Sequence, residues 1–273
     1  MDIVNSQRSD CYSMRCIFCK QDSSTSKTIE HIIPESLGNK DHILPAGVVC
    51  DNCNNYFARK VEGPLLDSDY FRHSRFRNIV ANKEGRIPAI KALCLPGRVL
   101  VEIMRDKEGK SIYPSREMDE SRFIESISKQ ETFELLIPQP SLPEGQIVSR
   151  FLGKVAIETL ALIALEIPDG LNEIIDKPEL DELRNYVRGY GPLRDWPFHV
   201  RQIYPEDKLF CEDEYGECEI LHSFKLLPTE CQELYLVLVI FGVEYCINMG
   251  GPEIEGYLEW LKQHNLESPL HYQ

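Results

Sequence analysis

Apolar positions along the chain fall into two regimes. Through residue 62 they form short runs broken by cysteines, with no sustained period. From residue 98 onward they recur at the spacings of strands and helices. Val99 and Val101 alternate with polar neighbours over residues 98–102, and Asp106-Lys107-Glu108-Gly109 reads as a turn, so a hairpin is predicted near 98–114. Met118, Phe123, Ile124 and Ile127 have helical spacing within 117–129, and residues 132–137 read as a strand. Pro138, Pro140 and Pro143 then break the chain.

Ser149 is placed to cap a long helix through Phe151, Leu152, Val155, Ile157, Leu160 and Ile163, ended by Pro168 and Gly170. Apolar residues cover most faces of that helix, which makes it the central core helix of its domain. Pro178 and Gly189 bracket a second helix. Strands are predicted at 198–204, 219–227, 234–241 and 243–249, and Pro252 opens a last helix through Tyr257, Trp260 and Leu261. The fold class is α+β. Three parts are expected: a small metal-held module over 1–62, a basic connector over 63–97, and an acidic α+β domain over 98–273.

Composition adds two constraints. The longest apolar run, residues 234–243, is about half of the roughly 20 residues a membrane-spanning helix needs, so no membrane partner is expected. Ten cysteines without an export signal read as metal ligands and reduced thiols, with the cytoplasm as the expected compartment. The net charge of -14 by itself argues against a polyanionic partner. That total is uneven, however: residues 1–100 carry 14 Lys/Arg and 11 Asp/Glu, whereas residues 101–273 carry 16 and 33.

Cys16-Ile17-Phe18-Cys19 and Cys50-Asp51-Asn52-Cys53 are two CxxC pairs. Each such turn points two sulfurs into one concavity, and two of them complete a tetrahedral structural Zn²⁺ site with bonds of about 2.3 Å. Cys11 precedes this frame and is read as a flexible thiol. Between the pairs lies Glu30-His31-Ile32-Ile33-Pro34, and Asn54 follows Cys53 directly.

The pattern CxxC…EHIIP…CxxCN resembles the HNH, or ββα-metal, endonucleases in their zinc-stabilised branch, over about residues 14–62. The resemblance implies hydrolysis of DNA phosphodiester bonds around one catalytic Mg²⁺ or Mn²⁺. It implies that Glu30 and Asn54 hold the ion and that His31 is the general base. The chemistry agrees, since a carboxylate is a hard oxygen ligand and an imidazole accepts a water proton near neutrality. Asn54 as a simple helix cap is the competing reading. Two positions depart from the family pattern. Ala58 stands where some members have a second helix histidine, and Pro45 stands where many have a bracing asparagine.

Residues 59–98 hold nine Lys/Arg against four Asp/Glu. Arg59 and Lys60, on the helix carrying Asn54, and Arg72, Arg75 and Arg77 beyond it are expected to contact phosphates of double-stranded DNA. Phe71 and Phe76 are expected to pack into an adjacent core rather than stack on bases. His42 is expected in solvent. The acidic domain, with Cys211, Cys218, Cys231 and Cys246, shows no catalytic pattern and is assigned regulation, specificity or dimerisation. Proteins of this kind suggest prokaryotic restriction or anti-phage defence. Two alternatives are carried: a non-catalytic zinc module binding nucleic acid or a protein, and a latent nuclease switched on by a ligand or partner through the C-terminal domain.

Overall fold

A computed structural model describes residues 14–106, 108–116, 119–129, 132–142, 145–190, 195–205, 208–212, 216–219 and 222–271, with backbone alone for 209–212 and 216–219. Its first unit is short. Strands β1 (Glu30–His31) and β2 (Ile43–Leu44) pair antiparallel, Glu30 opposite Leu44 and His31 opposite Ile43. Helix α1 (Asp51–Phe57) follows, and its axis continues through a π-helical turn (Ala58–Glu62) into α2 (Gly63–Leu66). This hairpin-plus-helix unit with clustered cysteines, set in a mixed helix-and-strand chain, agrees with the α+β reading.

The stretch 63–97, aperiodic in sequence, is ordered as α2, α3 (Asp69–Arg77) and β3 (Ile90–Leu95). Strands β4 (Val99–Arg105) and β5 (Lys110–Pro114) form the predicted hairpin, its turn closed by the Asp106 carboxylate accepting from the backbone N–H groups of Glu108 and Gly109. With β6 (Glu134–Leu136) they make one antiparallel sheet in the order β5-β4-β3-β6. Inward residues Ile90, Ala92, Cys94, Val99, Val101 and Ile103 pack on Phe76 of α3 and Phe123 of α4 (Glu120–Ser128). Strand β3 escapes a sequence reading because its buried face is Ile-Ala-Cys, too weak an alternation to stand out.

Helix α5 (Gln146–Ala164) starts three residues before the expected cap. Gly145 occupies the cap, and Ser149 lies inside the first turns, hydrogen-bonded to Gln146 O at 3.2 Å and to the Tyr186 hydroxyl at 2.5 Å. The helix is buried from Phe151 through Thr159, as its all-round apolarity demands. Around it lie α6 (Gly170–Asp176), which the expected stop at Gly170 had excluded, and α7 (Asp181–Val187).

Its other cover is a four-stranded antiparallel sheet, β10-β11-β12-β7, built from β7 (Phe198–Gln202), β10 (His222–Pro228), β11 (Leu234–Ile240) and β12 (Val243–Asn248). Between β7 and β10, β8 (Leu209–Glu212) and β9 (Gly216–Glu219) form a separate hairpin. The apolar run at 234–243 is explained by burial on both faces. Leu236, Leu238 and Ile240 share the core of α5, while Tyr235 and Val237 pack on Tyr257 and Leu261 of α8 (Glu255–Gln263). The β11–β12 turn needs Gly242: its φ is +80°, and a Cβ there would lie 2.2 Å from the Tyr204 carbonyl oxygen.

The largest buried cluster joins the cysteine-framed unit to the α5 layer. Ile17, Ile32, Ile33, Phe57 and Val61 belong to the same buried cluster as Phe151, Leu152, Val155 and Ile157. Polar ties cross the same boundary. Arg15 pairs with Asp176 at 2.8 Å, Lys20 with Asp181 at 2.5 Å, and Arg184 Nε donates to Ile17 O at 2.8 Å.

Glu244, fully buried on β12, closes the far end. It accepts from Arg201 Nε at 2.6 Å, from the Tyr257 hydroxyl at 2.7 Å and from Ser268 Oγ. Glu244→Ala removes the carboxylate partner of Arg201 and the acceptor of two buried hydroxyls, and is expected to cost about 2–4 kcal/mol. Urea unfolding checks this, and a midpoint unchanged from the parent protein contradicts it.

Candidate active site

Two turns build the metal frame. Cys16 and Cys19 sit in a tight turn closed by the Arg15–Asp22 bridge. Cys50 caps α1, its sulfur accepting from Cys53 N, which places Cys53 in the first helical turn beside it. All four sulfurs lie within 4.8 Å of one another, Cys19 and Cys50 at 3.6 Å. A tetrahedron of 2.3 Å zinc–thiolate bonds has edges of about 3.8 Å, so the donor set fits a structural Zn²⁺.

The thiols are electrostatically unequal. A hydrogen bond from the Cys53 thiol, helped by backbone N–H groups, lowers Cys16 to about 5 against its burial. Burial raises Cys19 to about 11, and Cys53 is raised by that same bond to Cys16 and by burial. Among the described residues no other group of three or more His, Cys, Asp or Glu brings its ligand atoms together in this way. Cys231 is exposed and Cys246 is fully buried, whereas Cys11 and the side chains of Cys211 and Cys218 lie outside the described residues.

The hairpin sends its two polar side chains to opposite faces, as strand alternation requires. Glu30 points inward and is 5% exposed. His31 is half-buried on the other face, and its buried Nδ1 has no hydrogen-bond partner among the described residues. Asn54 lies one turn inside α1, with Cys50 as the cap, so it is not a capping residue. Its Nδ2 donates to the Ile29 carbonyl at 3.0 Å and ties the helix to the strand just before Glu30.

A feature absent from the sequence reading lies behind Glu30. The ammonium of Lys154, fully buried on α5, is 2.8 Å from Glu30 Oε1, 2.8 Å from Glu62 Oε1 and 2.8 Å from Glu158 Oε2. It also donates to the His31 carbonyl at 3.3 Å. Glu62 reaches this cluster from the π-helical turn, whose widened hydrogen bond runs from Gly63 N to Ala58 O.

Burial dominates the electrostatics here. It raises the Glu30 carboxyl against the pull of Lys154, and raises Glu158 well above the carboxylate range for the same reason. Burial also works against the Lys154 charge, but Glu158, Glu30 and Glu62 outweigh it and hold the ammonium protonated. Three carboxylates thus face one ammonium, and Glu30 Oε2 is buried with no hydrogen-bond partner among the described residues. Glu158 Oε1 and, apart from its ion pair with Lys154, Glu62 Oε1 are likewise buried without a hydrogen-bond partner among the described residues, and a carboxylate oxygen left free in this way suits a divalent cation.

The basic residues divide. Arg59 and Lys60 are exposed on the π turn, and Arg77 is exposed at the end of α3. Arg77, Arg105, Gln139 and Gln202 line a cleft of about 720 Å³. Arg75, expected to meet phosphate, is instead only 7% exposed, and burial lowers its pKa. Arg72 is half-buried and donates to Ala89 O at 3.2 Å. The cause lies in α3, which buries Tyr70, Phe71, Ser74 and Phe76 and draws the intervening arginines inward. Phe71 and Phe76 are core residues, as expected. His42, expected in solvent, packs edge-on against Phe224 at 4.7 Å and His222 at 5.8 Å.

Lys154 and Glu158 had one sequence signal, a Lys/Glu pair four residues apart on a helix otherwise read as apolar. Glu62 had none, since it follows two basic residues in a charged stretch.

No helix is long and apolar enough to cross a membrane among the described residues. No curated protein and no solved structure gives a significant match. A family does: residues 16–69 match the model described as HNH endonuclease. Four converging cysteines frame the Glu-His pair of this stretch, which is consistent with the CxxC, zinc-binding branch of that family.

Proposed function

We propose that the chain is a metal-dependent endonuclease that hydrolyses phosphodiester bonds of double-stranded DNA, working in the cytoplasm in restriction or anti-phage defence. The observation that carries this reading is the placement of Glu30 and His31 on one two-residue strand, stapled to the zinc-framed helix by the Asn54–Ile29 hydrogen bond. Glu30, through its free Oε2, and the Asn54 side chain are the residues to hold Mg²⁺ or Mn²⁺. When bound, such an ion supplies positive charge to the scissile phosphate and to the leaving oxygen. His31 accepts the proton of the attacking water. Its half-exposed ring has its Nδ1 buried, which leaves Nε2 as the atom for that transfer. Arg59, Lys60 and Arg77 contact the backbone and give affinity rather than sequence readout.

Nicking of supercoiled plasmid with Mg²⁺ or Mn²⁺ tests the reading. Wild type is expected to cut, and His31→Ala to cut about 10²–10⁴-fold more slowly while keeping its zinc and its melting temperature. Intact supercoiled, linear and single-stranded DNA with every metal rejects the nuclease assignment and favours a non-catalytic zinc module. Wild-type rates in His31→Ala reject His31 as the base.

A further inference from the structure

We propose that Lys154 is a positioning residue of the nuclease site, so that a helix of the C-terminal region, outside the HNH unit, fixes the metal-binding acid. The proposal rests on the nuclease reading above.

Glu30 sits on a strand of two residues, paired only with a second strand of two residues. So short a ladder does little to hold a carboxylate in one orientation. Lys154 supplies what the ladder lacks. Its ammonium touches both members of the Glu-His pair, Glu30 through Oε1 and His31 through the backbone carbonyl. Because Oε1 is held, Oε2 is the oxygen left without a partner, and the orientation of the carboxylate is thereby chosen.

The same ammonium binds Glu62, on the helical axis that carries Asn54. Lys154 therefore links β1 to the axis of α1, the two elements that bear the residues assigned to the ion. Glu158, one turn along α5 and fully buried, holds the Lys154 side chain in place. If Lys154 served only to neutralise a buried charge on α5, Glu158 alone would suffice. The further contacts to Glu30, Glu62 and the His31 carbonyl come from two other elements, and they give the ammonium its place in the site. Outer groups that orient metal ligands are typically worth about 10–100-fold in metal affinity or activity.

Lys154→Met alone leaves three buried carboxylates uncompensated and risks the fold. The test is the full-length double variant Lys154→Met/Glu158→Met, which replaces the intrahelical ion pair with apolar residues of similar length. Mn²⁺ binding to the zinc-loaded protein is read by electron paramagnetic resonance, alongside plasmid nicking, DNA binding, zinc content and melting temperature. Expected are Mn²⁺ binding weakened about 10–100-fold and a comparable fall in kcat, with DNA binding and zinc unchanged. If the Met pair does not fold, Lys154→Gln/Glu158→Gln is read in the same way.

A folded double variant with wild-type Mn²⁺ affinity and kcat overturns the proposal. So does one that cuts faster than wild type, which would make Lys154 a mask over Glu30. Failure of the nuclease reading looks different: wild type does not cut, whatever residue 154 is.

Discussion

Stripping zinc from the four-thiolate cluster is expected to unfold the module around it and to abolish nicking, even with Mg²⁺ or Mn²⁺ restored. Cys16, Cys19, Cys50 and Cys53 are held by turns rather than by extended secondary structure, and Cys50 and Cys53 begin the helix that carries Asn54. Between the pairs the ordered elements are two strands of two residues and one turn of 3-10 helix at Glu35–Leu37. So little regular structure makes the sulfurs one of two main restraints on the Glu-His hairpin, the other being the core it shares with α5.

Structural zinc sites contribute about 10–16 kcal/mol of apparent binding free energy at neutral pH, against a total stability of about 5–15 kcal/mol for an ordinary domain. Removal therefore cannot be absorbed locally. Cys50→Ser is expected to act like a strong chelator, since Cys50 is at once a ligand and the cap of α1. Far-UV circular dichroism, melting temperature and zinc content across a chelator titration check this. Zinc-free protein melting within about 2 °C of the loaded form would show that the cluster is dispensable.

The same elements show how far the site can be read from sequence. Cysteine spacing and the Glu-His-Ile-Ile-Pro segment locate the zinc frame and the strand bearing Glu30 and His31, because local turns and strand alternation are properties of adjacent residues. The apolar run at 234–243 and the all-round apolarity of α5 likewise mark a doubly covered strand and a central helix. Lys154 was not legible because its meaning depends on partners 124 and 92 positions away, Glu30 and Glu62. Arg75 misled for a related reason. Four residues of one short helix bury around it, and a cluster of arginines in sequence says nothing of which face of α3 the core takes. Strand β3 was hidden by small inward residues, and α6 by a glycine that begins the helix instead of ending one.

A fragment of residues 1–97 carries every residue assigned to zinc, to the catalytic ion, to water activation and to DNA, yet it is expected neither to fold cooperatively nor to cut. Its inward residues Ile32, Ile33, Leu44, Phe57 and Val61 are all fully buried in the core they share with Phe151, Leu152, Val155 and Ile157. Full burial of one such side chain is worth about 1.5–3 kcal/mol. Re-exposing three or four of them approaches the whole stability of a domain, about 5–15 kcal/mol.

The polar losses compound this. Ile17 O loses Arg184, Arg15 loses Asp176, and Tyr56 loses the guanidinium of Arg150 at 2.5 Å. The acid site fares worst, because Glu30 and Glu62 lose Lys154 and become a like-charged pair facing open water. Zinc would still bind two knuckles, but the hairpin between them would keep the Asn54–Ile29 hydrogen bond while losing Lys154 and the core it shares with α5. Circular dichroism, urea unfolding and plasmid nicking of the zinc-loaded fragment decide the point. A cooperative transition together with nicking at or above the full-length rate would overturn it, and would make the C-terminal region a separable restraint on a self-sufficient nuclease. The buried ion cluster argues the reverse, since helix α5 supplies to the site an ammonium that the HNH unit does not itself place there.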